Sequence, residues 1–283
     1  MKLILISGLS GSGKSVALKV LEDDGFFCVD NLPPLLLPEL AKWHETHNSS
    51  LKLAVSIDSR LGIDISRFDR LMALAQMAQI QVRILFLDTR DDVLIRRFSQ
   101  TRRPHPLAKN KVTLEEAIQN EREMLGLLRE NAYVVDTTHL SANQLRSIIR
   151  DWAQIEISKF TITFESFGFK YGIPLDADFV FDVRSLPNPY HDDNLRSLNG
   201  NDAEIKQFFA LTDDANNLIN DIAAFLKRRI QEMRQHKNHL NVSIGCTGGQ
   251  HRSVFVAASL AKYFQDDYSV LLRHRQLFER EKL

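Results

Sequence analysis

An α/β protein built on doubly wound parallel sheets is predicted by three observations. An apolar run, Leu3-Ile4-Leu5-Ile6, leads straight into Gly8-Leu9-Ser10-Gly11-Ser12-Gly13-Lys14-Ser15; an amphipathic start, Val16 to Leu21, follows it; and short apolar runs separated by helical patterns recur along the chain. The eight-residue stretch fits G-x-x-x-x-G-K-[ST] at a strand-to-helix turn. Glycines there let backbone amides face an anion, and the helix end adds partial positive charge. Lys14 offers a point charge to outer phosphates, and the Ser15 hydroxyl is a magnesium (Mg2+) ligand. Nucleotide binding is what this stretch predicts.

The 283 residues exceed the usual size of one domain, so two are expected: 1–155, a P-loop nucleotide-binding domain, and 156–283, a second α/β domain. The 44% apolar and 25% charged fractions are those of a soluble globular protein. Lys plus Arg equals Asp plus Glu at 36 each, so no global positive field draws nucleic acid, and such contacts must come from local patches. The opening MKLILISG is too short for a signal peptide, and no run reaches membrane-spanning length. Cys28 and Cys246 make no disulfide framework and suit a reducing compartment. A cytoplasmic protein without a membrane partner is expected.

Helix one is predicted to run to about Asp24, with Gly25 as its stop, and Phe26 to Val29 reads as the second strand, ending in the stiff turn Asp30-Asn31-Leu32-Pro33-Pro34. A short helix to His47 is expected to carry Trp43 on its inner face. Leu51 to Ile57 and Val82 to Leu87 read as strands three and four, ending in Asp58-Ser59-Arg60 and Asp88. Either aspartate suits a water-mediated magnesium contact opposite Ser15, and the residues leave the choice open. Phe68, Leu71, Met72, Ala75 and Ala78 mark a covering helix. Arg96, Arg97, Arg102 and Arg103 occupy the lid position of small P-loop kinases, where guanidinium forks match phosphate, or form a solvated basic face. Thr113 to Glu116 is a capping box opening a helix with Leu114, Ala117, Ile118, Glu121, Met124, Leu125 and Leu128 in register. Tyr133 to Val135 is a fifth strand. Ser141 with Gln144 caps a last helix that closes the domain.

In the second half, Phe160, Ile162 and Phe164 alternate with threonines and Glu165, predicting a strand with one wet face. Phe179 to Arg184 is another strand, with helices at Ala203 to Ala210 and Asp213 to Gln235. Asn241 to Ser253 then reads strand, loop, helix, with Cys246-x2-Gly249-x2-Arg252-Ser253 at the spacing cysteine phosphatases use. An anion cradle without chemistry, a phosphatase with Asp182 or Asp193 as acid, and a structural turn are all compatible with it; His251 is an anion contact or a helix cap. Arg273, His274 and Arg275, backed by Arg280 and Lys282, form a terminal basic cluster suited to an RNA backbone or to plain solvation.

Seven blocks together resemble one family: GLSGSGKSVAL (Gly8 to Leu18), GFFCVDNLP (Gly25 to Pro33), VSIDSR (Val55 to Arg60), TRRPHPL (Thr101 to Leu107), ESFGFKYGIP (Glu165 to Pro174), DADFVFDVRSLPNPY (Asp176 to Tyr190) and GCTGGQHRSV (Gly245 to Val254). They are similar to the RapZ family of RNase adapter and nucleotide-binding proteins. The resemblance implies ATP and GTP binding with at most slow hydrolysis, on Gly8 to Ser15 and on Asp58, Ser59, Arg60 and Leu61. It implies a second domain like a sugar-phosphate-binding one, sensing a phosphorylated aminosugar such as glucosamine-6-phosphate through Thr247, Gly248 and Arg252, with Gly249, His251 and Ser253 completing the loop. It further implies a homo-oligomer that binds small regulatory RNA and presents it to an RNase E-like nuclease. At the PNP motif this chain has Tyr190, with His191 adjacent, where the enterobacterial pattern has histidine. A small-molecule kinase, with Asp30 at the acceptor site, is the alternative.

Overall fold

The computed structural model describes residues 2–47, 52–57, 59, 72–73, 75–76, 80–101, 103–108, 112–154, 160–211, 213–234 and 239–277. Two compact units divide the chain, Met1–Ile157 and Ser158–Leu283.

The first unit runs β1 (Lys2–Gly8), α1 (Lys14–Asp23), β2 (Phe26–Val29), α2 (Leu37–His47), β3 (Lys52–Ser56), β4 (Gln81–Asp88), α3 (Asp91–Thr101), α4 (Leu114–Glu130), β5 (Tyr133–Asp136) and α5 (Ala142–Gln154). Its five strands are parallel in the order β2-β3-β1-β4-β5. Leu3 and Leu5 are buried on one face of β1 and Ile4 and Ile6 on the other, which is why this strand is a continuous apolar run: a central parallel strand is covered on both sides. Thr113 and Glu116 exchange both capping-box hydrogen bonds at α4, and Ser141 and Gln144 do the same at α5. With β3 and β4 on either side of β1, the carboxyl ends of all three strands meet at the phosphate loop, the edge where open parallel sheets hold ligands. The expected helix around Phe68 to Ala78 lies largely outside the described residues.

Trp43 is not on the inner face of α2. Leu37, Ala41 and His44 are, at helical spacing, while Trp43 is 42% exposed and stacks on His47 one turn later.

The second unit runs β6 (Thr161–Gly168), β7 (Phe179–Asp182), α6 (Ala203–Ala210), α7 (Asp214–Met233), β8 (His239–Cys246), α8 (Arg252–Phe264) and β9 (Ser269–His274), with parallel strands in the order β7-β8-β6-β9. Phe160, Ile162, Phe164, Leu240, Val242 and Ile244 share a core with Ile222, Leu226 and Ile230 of α7 and Val256, Leu260 and Phe264 of α8. Two expectations change here. The threonine face of β6 is not wet: Thr161 and Thr163 are buried, as are Asn241 and Ser243 on the neighbouring β8, so this parallel sheet is covered there on both faces. And β9, unforeseen in the sequence, pairs with β6 along its length from Thr161↔Ser269 to Ser166↔His274. No helix among the described residues is long and apolar enough to cross a membrane.

Candidate phosphate-binding sites

The turn after β1 depends on glycine. Gly8 has φ 143° and Gly13 has φ 113°, a region side chains rarely enter; Gly13 caps α1 in the left-handed conformation. The α1 N-terminus thereby opens at the sheet's carboxyl edge, with its Val16 and Ala17 amides returning to Gly13 O. Lys14 Nζ folds back over the loop and donates to Gly8 O (2.7 Å) and Leu9 O (3.1 Å). Ser10, Gly11, Gly13, Lys14, Ser15 and Val16 form one side of a cleft of about 690 Å³. Phe98, Thr101, Arg103, Pro104 and Pro106 form the other.

The four-arginine lid therefore separates into different roles. Arg103 lines the cleft, and Arg96 is exposed. Arg97 instead braces the loop from outside: Nη1 donates to Gly11 O (2.9 Å) and Nη2 to Thr137 O (2.9 Å), and burial pushes its pKa down. Arg102 lies outside the described residues.

The two magnesium candidates fare differently. Asp88 is committed: Oδ1 accepts from the Thr89 amide and Arg122 Nη1, Oδ2 from Arg129 Nε, all at 2.8 Å, and its side chain is 2% exposed. Burial works against the Arg122 charge, but Asp88 and Asp91 outweigh it and raise its pKa. Asp58 lies outside the described residues, as do Arg60 and Leu61. Ser59 is described, and it leads to a residue that pattern reading placed only in a helix register. Its hydroxyl donates to Glu121 Oε1 (2.5 Å), which also accepts from Ser10 Oγ (2.8 Å), while Oε2 accepts from the Ser10 amide (2.8 Å) and lies 3.1 Å from His105 Nε2. Burial works to raise the Glu121 pKa; hydrogen bonds from His105 and Ser59, the Lys14 charge and the Ser10 amide overcome it and hold it at about 2. The available signal was a glutamate among buried apolar positions of one helix face. Asp30, the acceptor-site carboxylate of the kinase alternative, is exposed and accepts a short hydrogen bond from Ser56 Oγ.

In the second unit the loop after β8 is held tightly. Gly249 has φ 74°, and a Cβ there would sit 2.2 Å from Gln276 Oε1. Its amide donates to Cys246 Sγ (3.2 Å), which also lies 3.1 Å from Ser253 Oγ. Arg252 is buried and donates to Arg184 O (2.9 Å), Leu186 O (3.3 Å) and Thr247 Oγ1 (3.2 Å). Thr247 is exposed, Gly248 half-buried, His251 buried and Ser253 turned inward onto the thiol. The phosphatase spacing is thus present with its thiol withdrawn: Cys246 is 3% exposed, and of the two candidate acids Asp182 is paired with Arg184 (2.6 Å), whose hydrogen bonds lower its pKa, while Asp193 pairs with Arg196 (2.9 Å) out in solvent.

The described members of the terminal basic cluster are unevenly exposed: Arg273 is buried, and His274 and Arg275 are half-buried. Arg273 is 8% exposed within β9; the Arg275 amide donates to Ser166 O, and His274 Nδ1 lies 2.9 Å from Ser166 Oγ. Pairing with β6 draws these residues inward. Arg280 and Lys282 lie outside the described residues. Burial lowers the His274 pKa to about 4, so the unfolded chain takes up the proton first as pH falls. Stability present above about pH 6.5 should drain toward pH 4, by about 2 kcal/mol at pH 5. Urea midpoints at pH 7.5 and pH 5 check this: His274→Gln should lose that part of the acid sensitivity.

A family model described as the RapZ-like N-terminal domain matches residues 1–155, and one described as the RapZ C-terminal domain matches residues 160–278. A nucleotide-binding protein of Neisseria meningitidis serogroup C (strain 053442) is 46% identical over 277 residues, covering 98% of each chain. One of Nitrosomonas eutropha is 48% identical over 282 residues, 99% of this chain and 97% of its own. One of Chromobacterium violaceum is 46% identical over 279 residues, 98% and 99% respectively. A solved shikimate kinase of Acinetobacter baumannii, in complex with shikimate, covers 53% of this chain and 92% of its own at 14% identity and a TM-score of 0.37, too distant to bear on chemistry. With both family models matched in tandem and relatives aligned end to end, the chain belongs to the RapZ family, an architecture consistent with a regulatory adapter role in RNA processing.

Proposed function

We propose that the first unit binds ATP and GTP with Mg2+, through Gly8, Leu9, Ser10, Gly11, Ser12, Gly13, Lys14 and Ser15 together with the segment Asp58 to Leu61. The observation that carries this reading is the glycine turn that opens α1 onto a cleft of about 690 Å³ lined by Lys14 and Ser15. The residues fit such a ligand on a further count. Ser12 Oγ is buried in the loop without a hydrogen-bond partner, and Ser15 lines the cleft with an exposed side chain. Ser15 would hold magnesium there together with the nucleotide's own oxygens, the metal supplying charge neutralisation.

In the same reading, Thr247, Gly248, Gly249, His251, Arg252 and Ser253 form the second-unit site for a phosphorylated aminosugar such as glucosamine-6-phosphate. Thr247 and Gly248 are its accessible edge, and Arg252 joins them if it exchanges a carbonyl for a phosphate oxygen. The protein acts as a homo-oligomeric adapter that presents small regulatory RNA to an RNase E-like nuclease; the named relatives' description as nucleotide-binding proteins supports the nucleotide reading of the first unit. Equilibrium titration of the full chain with ATP and GTP, with and without Mg2+, tests it. Saturable binding is expected, weakened about tenfold or more in Lys14→Ala as a charge-assisted phosphate contact is lost. Absence of saturable binding by the wild type overturns it.

A further inference from the structure

Glu121 is expensive where it stands. Its side chain is fully buried on a face of α4 otherwise occupied by Ala117, Ile118, Leu125 and Leu128, where an apolar residue of the same size would avoid the desolvation of a carboxylate. What an apolar residue would lack is reach. The two oxygens accept from Ser10, 111 residues earlier, from Ser59, 62 residues earlier, and from His105, 16 residues earlier. Ser10 lines the cleft itself, His105 stands between Pro104 and Pro106 of the opposite wall, and Ser59 follows the end of β3, so one carboxylate ties the phosphate loop to the facing wall and to the sheet's carboxyl edge. The tie to that wall is directional. The Leu107 amide donates to His105 Nδ1 (3.1 Å), so the imidazole proton sits on Nε2 and is given to Glu121.

We propose that Glu121 is a positioning residue for nucleotide binding, fastening the phosphate loop, the β3 end and the facing wall into one preorganised cleft. The proposal rests on the nucleotide reading of that cleft. It differs from a merely structural role because Ser10 lines the ligand space and His105 sits between two residues that do, so loosening them lets the walls drift apart and costs affinity even when the sheet stays folded. A fully satisfied buried network of this kind rigidifies what it joins.

Binding of ATP with Mg2+ to the full chain, at a temperature where every variant is folded, tests it. Glu121→Gln should weaken ATP about tenfold or more, the usual scale for a group that orients direct contacts. His105→Gln, whose amide nitrogen still donates to Glu121, should retain affinity, whereas His105→Leu should lose it. Leu125→Ala, a cavity on the same helix face, controls for stability: its thermal midpoint should fall while its ATP affinity holds. Wild type that fails to bind ATP overturns the cleft reading and this inference together. Wild type that binds, with Glu121→Gln binding equally well or with Leu125→Ala losing as much, overturns this inference alone.

Discussion

Gly8→Ala is expected to destabilise the first unit by about 4 kcal/mol, from backbone strain and overpacking together. Gly8 ends β1 at φ 143°, and a Cβ on it would lie 2.3 Å from Leu87 O and 2.8 Å from Leu87 N. Those are main-chain atoms of the neighbouring strand, so no rotamer change relieves the clash. Moving them means breaking the β1–β4 register, in which Gly8 pairs with Leu87 and the Leu9 amide donates to Leu87 O. Gly25→Ala is the comparison, because Gly25 also has positive φ, 84°, but nothing lies within 4 Å of its Cβ. It should cost only about 1 kcal/mol, the strain alone. Urea unfolding of both variants checks the difference. Equal losses would show that strain, not the approach of β4, is what fixes glycine at the head of the loop.

Asp88→Asn should cost about 3 kcal/mol, the lower end for breaking a buried ion pair, since Arg122 and Arg129 keep 26% and 37% of their side chains in solvent. The amide would still accept from one arginine but would turn a donor toward the other. If Asp88 organised magnesium, the same substitution would erase the dependence of nucleotide affinity on Mg2+. The geometry argues otherwise, because both oxygens are already spoken for by cations of α4. The expected result is therefore a less stable protein whose ATP titrations still respond to Mg2+. Midpoints from denaturation set beside titrations with and without the metal separate the two roles.

Most of the first sheet was legible in the chain, because a phosphate loop fixes which strand is first and central, and parallel strands buried on both faces announce themselves as unbroken apolar runs. That Asp88 is taken up by ion pairs was not legible, since its arginines lie 34 and 41 residues farther along. Glu121 carried a local signal, a charge in an apolar register, but its meaning depends on Ser10, Ser59 and His105 converging in space. In the second unit, Leu272-Arg273-His274-Arg275 looked like a basic tail because charge outweighs a six-residue strand in composition. Only pairing with β6 shows that Arg273 is enclosed. The alternation in β6 was read correctly as two different faces and wrongly as one dry and one wet, because periodicity reports polarity rather than burial.

The place of β9 bears on how the protein is made. Ser166 meets His274 across 108 residues, so β6 leaves the ribosome long before its partner exists, and the late arrival completes the second sheet. The first unit has its own last helix by Gln154 and can fold while the remainder is still being translated. Until then the nascent β6 offers unpaired backbone edges beside apolar Ile162, Phe164 and Phe167, the kind of surface that chaperones shield and that sticks to its own kind when synthesis stalls.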